Sequence, residues 1–233
     1  DTAKDADGAY YADYTGIMSV GWNADKYGDI SSLDDLLDPK FAGTVALNGK
    51  PAEAGAAFNG YLMANQLAGG DINNLQPGLD YFKKLKEAGN LTTVDVTNGT
   101  IDSGQTGVVF DWTYNQASYK KELKDKGVNW KYKTFPKAQV VSYYNQAINK
   151  DAPHPAAARL WEEYLYTADA QNLWFKGGAN PVLLDSMKED GTVDQATLKD
   201  AITIEGEPVS YTNDDSTRIT EWLQNNWDKT IGN

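Results

Sequence analysis

Short apolar strands alternate with amphipathic helices along this chain, and that alternation limits the possible folds more than any other feature. Residues 107–110 predict a buried strand, residues 116–126 an amphipathic helix, and residues 129–133 a strand with alternating side chains. An earlier strand at residues 44–47 precedes a helix at residues 54–67. Strands and helices that alternate at this spacing form βαβ units. We therefore predict an α/β fold with a mostly parallel sheet flanked by helices.

The composition excludes several classes of site. None of the 233 residues is a cysteine, so a disulfide, a thiolate nucleophile, an iron–sulfur cluster and a cysteine zinc site are all excluded. The net charge of −12 opposes binding to a nucleic-acid backbone, which requires a basic surface. No apolar run reaches the about 18 residues of a membrane-spanning helix. We expect no nucleic-acid partner and no cofactor.

The residues offer little for catalysis or for metal binding. His154 is the only histidine, and its position between two prolines is typical of an exposed loop. The chain contains neither the paired histidines of a zinc-protease motif nor a glycine-rich loop of the kind that holds a triphosphate. We therefore expect a protein that is not an enzyme and has no metal site. A carboxylate-dependent glycan hydrolase stays open as an alternative, because 33 acidic residues allow many carboxylate pairs.

Residues that follow the predicted strands are candidates for binding a small molecule. Asp111, Trp112 and Tyr114 come directly after the strand at residues 107–110. In open α/β sheets, ligands gather outside the carboxyl ends of the strands. A carboxylate between two aromatic rings suits an ammonium group with an apolar stem. A helix cap beside core aromatics explains the same residues equally well.

Two further positions are candidates for polar contacts. Gly55 and Ala56 begin the helix that follows the strand at residues 44–47, and their free N–H groups favour a carboxylate or a phosphonate. An ordinary helix start is an equal alternative. Tyr143 and Tyr144 lie on a predicted strand over residues 140–148, so they face opposite sides of the sheet. We expect one of them to line a cleft and the other to lie in the core.

Two stretches of the chain resemble a known family. The first contains Ser-Ser-Leu-Asp-Asp-Leu-Leu-Asp-Pro at residues 31–39, followed by Gly-Thr-Val-Ala-Leu. The second begins Gln-Ala-Ile-Asn-Lys-Asp-Ala-Pro-His-Pro at residue 146 and ends Gly-Gly-Ala-Asn-Pro at residue 181. Both resemble the bacterial extracellular solute-binding proteins of ABC transporters. The chain is most similar to the group that serves polyamines, iron(III), thiamine and 2-aminoethylphosphonate.

The resemblance implies two α/β lobes joined by crossing strands, with a solute in the cleft and hinge-like closure around it. Tyr14 lies on the first crossing strand and is implied to contact the solute with Tyr143 or Tyr144 from the later one. The implied division is a loop and first crossing strand at residues 1–20, lobe two at 21–139, a crossing strand and helices of a partial lobe one at 140–183, and a C-terminal helical segment at 184–233.

The chain departs from the resembled group at the residues that select the solute. Iron(III)-binding members carry adjacent tyrosines in the loop that here reads Asp-Trp-Thr-Tyr, so their metal-binding pair is absent. Polyamine-binding members carry a carboxylate on the later crossing strand, where this chain has Tyr-Tyr-Asn. Asp111 is then the candidate acceptor for a cation or a hydroxyl. We predict a small organic solute, with an amino group as the favoured feature.

The resemblance also bears on the extent of the chain. Members of the family carry a substantial segment before the first crossing strand, so we expect most of the N-terminal lobe to be missing here. Apolar side chains within residues 141–183 then lose their usual cover, and they associate with the missing lobe or another chain, repack, or leave exposed patches that favour association. These side chains are Leu160, Trp161, Leu165, Leu173 and Trp174.

We therefore predict the solute-binding component of an ABC importer. Its partners are a small-molecule solute and a membrane permease, and the solute favours the closed form that the permease recognises. The expected location is outside the cytoplasmic membrane, in the periplasm or as a cell-surface lipoprotein. No basic segment followed by an apolar one opens the sequence, so we expect the export signal to be absent from this chain. A non-catalytic interaction module is a further alternative.

Overall fold

The computed structural model describes residues 4–204 and 207–232, which form two compact units. The small unit contains the residues up to Gly16 together with Ser142–Ile204. The large unit contains Ile17–Val141 and the C-terminal residues from 207 onward. Residues 184–204 therefore belong to the small unit, and residues from 207 onward belong to the large unit.

Six strands and ten helices are described. The strands are β1 (Tyr11–Asn23), β2 (Val45–Leu47), β3 (Val108–Trp112), β4 (Trp130–Lys133), β5 (Val141–Gln146) and β6 (Asn180–Pro181). The helices are α1 (Ala24–Tyr27), α2 (Gly55–Leu67), α3 (Gln76–Glu87), α4 (Asn98–Asp102), α5 (Thr113–Leu123), α6 (Pro155–Leu165), α7 (Ala168–Lys176), α8 (Leu184–Glu189), α9 (Gln195–Leu198) and α10 (Asn213–Thr230). Single 3₁₀ turns cover Leu33–Leu37, Pro39–Phe41, Lys124–Lys126 and Pro136–Ala138.

The sheet of the large unit has the strand order β2-β3-β1-β4. β2 and β3 pair in parallel, whereas β1 is antiparallel to both β3 and β4. β2, β3 and β4 therefore all point the same way, as βαβ units require. The α/β architecture is confirmed, but the sheet is mixed rather than mostly parallel. The cause is β1, which lies between β3 and β4 and runs in the opposite direction. The alternation of strands and helices from which we predicted a parallel sheet did not include this strand.

The core of the large unit lies between this sheet and the helices α2, α3 and α10. Phe110 of β3, Tyr61 of α2 and Phe82 of α3 are buried together, with the ring centroids of Phe82 and Phe110 5.8 Å apart. α10 adds Leu223 and Trp227, four residues apart on one face of the helix. A capping box between Thr212 and Asp215 begins α10. The buried aromatic rings therefore hold the C-terminal helix to the large unit.

Gly21 shows how closely α5 approaches the sheet. A Cβ at this position would overlap the side-chain amide of Gln116. That amide donates to the carbonyl of Val109 at 3.0 Å and accepts from Nε1 of Trp130 at 2.8 Å. The glycine therefore makes room for a buried side-chain hydrogen-bond network that joins α5 to β3 and β4.

The small unit is built around the first half of β1. β5 pairs with β1, and β6 pairs with it in antiparallel register, Tyr14 opposite Pro181 and Thr15 opposite Asn180. Phe175, Leu184, Met187 and Val193 form a separate apolar cluster. α6 is unusual because only Leu165 of its eleven residues is buried. Among the described helices, none combines the length and the apolar character that crossing a membrane requires.

Candidate functional site

Asp111 is a hub of hydrogen bonds at the end of β3. Its side chain is completely buried. Oδ2 accepts from Asn48 Nδ2 at 2.8 Å and from the Tyr119 hydroxyl at 2.9 Å. Oδ1 accepts from Asn115 Nδ2 at 2.9 Å and from the backbone N–H of Trp112 at 2.8 Å. The carboxylate therefore joins the turn after β2 to the first turns of α5.

The electrostatics of Asp111 follow from this arrangement. Burial raises the pKa of its carboxyl group, and the hydrogen bonds from Asn115, Trp112, Tyr119 and Asn48 oppose that rise. Burial and the neighbouring Asp111 also raise the pKa of the Tyr119 hydroxyl, which keeps it a donor. All four donors are uncharged groups of the protein. Both oxygens of Asp111, the residue for which the sequence predicts a solute acceptor, thus already have hydrogen-bond partners within the protein.

The two aromatic residues beside Asp111 differ in accessibility. Trp112 is buried in the core of the large unit, and Tyr114 is half-buried against it. Their rings stack with centroids 6.3 Å apart and an interplanar angle of 16°. Of the two alternatives left open for Trp112, the structure supports the core residue. Tyr114 presents the accessible ring of the pair.

The start of α2 lies at the same edge of the sheet as Asp111. Asn48 bonds Asp111, and the next residue, Gly49, adopts φ +100° and packs directly on Ala54. α2 begins at Gly55, and no side chain caps it. Gly55 is exposed, with open space around its Cα, and the first N–H groups of a helix have no intrahelical partner. The structure therefore brings Asp111 and Gly55 to one edge.

The small unit contains a stack of three aromatic rings. Tyr14 lies between Trp174 and Tyr144, with centroid distances of 4.5 and 4.9 Å and interplanar angles of 25° and 13°. Burial raises the pKa of the Tyr14 hydroxyl, and the neighbouring Tyr144 and Asp13 add to that rise. Tyr144 is 44% exposed, so one end of the stack is accessible. We call these three residues the aromatic stack.

Tyr143 lies on the other side of the strand, as the alternation of side chains requires. It lines a small pocket with Thr15 and Asn180. It is nevertheless more than a third exposed. The expectation that one of the two tyrosines lies in the core is therefore wrong, because neither side of β5 is fully covered at this point.

Several residues around these positions carried no clear signal in the sequence. Asn115 and Tyr119 follow Asp111 at intervals of four, which places them on one helical face, and this spacing could have identified them. Asn48 lies 63 positions before its partner, and Tyr14 and Trp174 belong to the two separate stretches of chain that form the small unit. Only the fold brings these pairs together.

Metal binding finds no support in the described part of the chain. Residues 4–204 and 207–232 contain no group of three or more histidine, cysteine or acidic side chains placed to hold a metal ion. His154 lies at the start of α6, where it makes no side-chain cap.

A family model described as "Bacterial extracellular solute-binding protein" matches residues 1–201. A search of curated proteins returned no match. Many solved structures share the fold, including a periplasmic binding protein from Actinobacillus pleuropneumoniae (AfuA, with exogenous fructose-6-phosphate bound). It is 20% identical, with a TM-score of 0.69, over 99% of this chain and 71% of its own.

Two other similar structures come from Pseudomonas aeruginosa and Streptococcus pneumoniae. The first is iron-bound HitA, with 20% identity and a TM-score of 0.65, over 96% of this chain and 71% of its own. The second is PotD, the substrate-binding protein of a spermidine/putrescine ABC transporter, with 13% identity and a TM-score of 0.65, over 98% of this chain and 71% of its own. At these identities the likeness shows the fold.

Proposed function

The chain belongs to the bacterial extracellular solute-binding protein family, and from this premise we propose which residues contact the solute and what kind of solute it is. The family is a non-enzymatic component of ABC transporters that binds a small molecule and delivers it to a membrane permease. The solved relatives name ligands as different as fructose-6-phosphate and iron, so the fold alone does not select the solute. The selection must come from side chains of this chain.

The aromatic stack carries the proposal for an amino-bearing organic solute. Stacked rings present a negative face that attracts an ammonium group and covers an apolar stem. Tyr144 ends the stack with an accessible ring, and its partner Tyr14 lies beside the buried carboxylate of Asp13. The pKa of the Asp13 carboxyl is raised by burial, and its hydrogen bonds come from the amides of Gln146 and Gln171 rather than from a cation. Asp13, like Asp111, is therefore occupied by protein donors, and the accessible ring of Tyr144 is the feature that supports a positively charged group.

The large unit contributes a second, separate set of proposed contacts. The N–H groups of Gly55 and Ala56 suit an acceptor such as a carboxylate or a phosphonate, and Tyr114 suits an apolar stem. Asp111 holds the turn after β2 and the start of α5 in place through its four hydrogen bonds. It acts on the solute through these elements and does not touch it.

The proposal extends to turnover, location and partners. We expect the solute to be released unchanged, and the protein to work in the periplasm or at the cell surface. The exposed apolar residues of α6 and α7 support a further polypeptide partner on the small unit. Leu160 is 70% and Trp161 60% exposed, which is far more than isolated surface residues need.

A thermal-shift series tests the proposal. Spermidine, 2-aminoethylphosphonate and thiamine are compared with a neutral sugar, and mass spectrometry of the recovered solute checks for turnover. We expect an amino-bearing compound to raise the melting temperature and to be recovered intact. Tyr144→Ala should abolish most of that shift, whereas Tyr164→Ala, which removes an equally exposed tyrosine outside the aromatic stack, should preserve it.

Two results would contradict the proposal. If the neutral sugar alone stabilises the protein, the solute is not an amino-bearing compound. Steady release of a converted product would make the protein an enzyme.

A further inference from the structure

Asp13 is a buried acid of the small unit, and it precedes Tyr14 in the sequence. Its Oδ1 accepts from Nε2 of Gln171 at 3.1 Å, and its Oδ2 accepts from Nε2 of Gln146 at 3.1 Å. Asp13 belongs to β1, Gln146 to β5 and Gln171 to α7. One carboxylate therefore joins three elements that are distant from one another along the chain.

The same three elements supply the aromatic stack. Each of its rings lies within three residues of one of these polar side chains. The pairs are Asp13 with Tyr14 on β1, Gln146 with Tyr144 on β5, and Gln171 with Trp174 on α7. The rings of Tyr144 and Trp174 have centroids 4.9 and 4.5 Å from that of Tyr14. Because each ring is so close along the backbone to a hydrogen-bonded group, fixing the three polar groups also fixes the spacing of the rings.

The two glutamines differ in their freedom to turn. Nε2 of Gln171 also donates to the carbonyl of Leu165 at 2.8 Å, and its Oε1 accepts from the N–H of Leu183 at 3.3 Å. Gln171 is completely buried, so these bonds fix which end of its amide faces Asp13. Gln146 is only half-buried, so its amide can turn. Gln171 therefore requires an acceptor at position 13, whereas Gln146 can pair with an acceptor or with a donor.

We infer that Asp13 is a positioning residue for solute binding, which holds the three rings of the aromatic stack at their stacking distances and does not touch the solute. The inference rests on the proposed role of the aromatic stack in binding. The competing role is a direct attraction between the charge of Asp13 and a cationic solute. The two roles have different requirements, since positioning needs an acceptor that faces Gln171 and attraction needs a negative charge.

Three substitutions separate these roles. Asp13→Ala removes both acceptor oxygens and should displace the rings. Asp13→Asn removes the charge but keeps an acceptor for Gln171, and its nitrogen can donate to the turned amide of Gln146, so it should preserve the stack. Gln146→Leu removes only the bond to β5 and should disturb the stack partially. It tests the inference even where Asp13→Ala does not fold.

Near-ultraviolet circular dichroism reports the packing of the rings without any solute. The difference between the spectra of the wild-type protein and Tyr144→Ala defines the signal of the aromatic stack. Asp13→Ala should lose most of this signal, and Asp13→Asn should keep it. Gln116→Met is the matched control, because it removes two buried hydrogen bonds in the large unit and should destabilise the protein without changing the signal.

Calorimetric titration with spermidine measures the consequence for binding. Asp13→Ala should weaken spermidine binding about three- to tenfold, which is the range that one cation–π contact supplies, and Asp13→Asn should bind like the wild type. An Asp13→Asn protein that keeps the stack signal and loses spermidine binding would overturn the positioning role in favour of the charge. A stack signal unchanged in both Asp13→Ala and Gln146→Leu would overturn it as well. Loss of the signal in Asp13→Ala, with no spermidine binding by the wild type, would support the positioning of the rings and contradict the proposed solute.

Discussion

At the scale of single residues, the structure shows the hydrogen-bond partners of Asp111, the acid that the sequence made most prominent. Asp111 follows a buried strand and precedes a helix, which is where a ligand-binding carboxylate is expected. In the structure, both of its oxygens are occupied by uncharged donors of the protein and its side chain is buried. We therefore expect Asp111 to contribute to stability and to the placement of its neighbours.

Asp111→Asn should destabilise the large unit. The amide nitrogen replaces one acceptor oxygen, so two of the four buried donors face another donor. We expect a loss of about 2–6 kcal/mol in the free energy of unfolding, from about 1–3 kcal/mol per unsatisfied donor. Urea denaturation measures this loss. Tyr119→Phe removes one donor and should cost less, and the exposed Asp29→Asn should cost least. An Asp111→Asn variant as stable as the wild type would contradict the stabilising role of the Asp111 hydrogen bonds.

Asp35 predicts a pH dependence. Hydrogen bonds from the backbone of Ser32 and Ser31 lower the pKa of its carboxyl group to about 2. A lowered folded-state pKa stabilises the fold above the ordinary aspartate value, and that stability is lost as the pH falls towards about 2. Urea midpoints of the wild type and Asp35→Asn should therefore converge between about pH 4 and pH 2. Asp34→Asn, next to it, makes no capping bond and should track the wild type throughout.

At the scale of elements, α6 is a helix without a cover. Its apolar residues Leu160, Trp161 and Tyr164 lie at the three- and four-residue spacing of one helical face, and all are exposed. Leu173 of α7 is 62% exposed as well. A face of this kind normally packs against another element. The expectation that these residues lack cover holds for Leu160, Trp161 and Leu173, but Leu165 is buried and Trp174 belongs to the aromatic stack.

Trp161→Glu combined with Leu160→Lys should reduce self-association without loss of stability. The two side chains make little buried contact, so their removal costs almost nothing in the free energy of unfolding. Light scattering and binding of a hydrophobic dye report the association. Leu165→Glu, on the buried side of the same helix, is the matched variant that should destabilise. A wild-type protein that is monomeric and binds no dye would contradict this role of the face.

At the scale of the whole molecule, each unit is assembled from separate stretches of chain. The boundaries fall after Gly16, Val141 and Ile204, so the first lies inside β1 and the second inside β5. Beyond Ile204 the chain returns to the large unit. There the N–H of Val209 donates to the carbonyl of Gln139 at 2.8 Å. A strand that serves two units needs burial along its whole length, and β1 is almost continuously buried.

The sequence by itself determined the elements and the family. Helix periods, capping residues and apolar strands are set by neighbours a few positions apart, so α2, α5 and β3 fall within a few residues of their predicted bounds. The resemblance at residues 31–47 and 146–181 agrees with the family match. Local patterns do not specify which strands pair, and so the antiparallel entry of β1 was not predicted.

Only the tertiary structure decided which side chains meet. The burial of Asp111 among protein donors involves Asn48, 63 positions away, and the aromatic stack forms because Tyr14 meets Tyr144 and Trp174 from a distant stretch of the chain. Burial and long-range hydrogen bonds are properties of packing, and packing depends on residues distant along the chain. Residue types and their spacing therefore predicted the candidate binding residues, and three-dimensional packing determined which of their atoms remain available to a ligand.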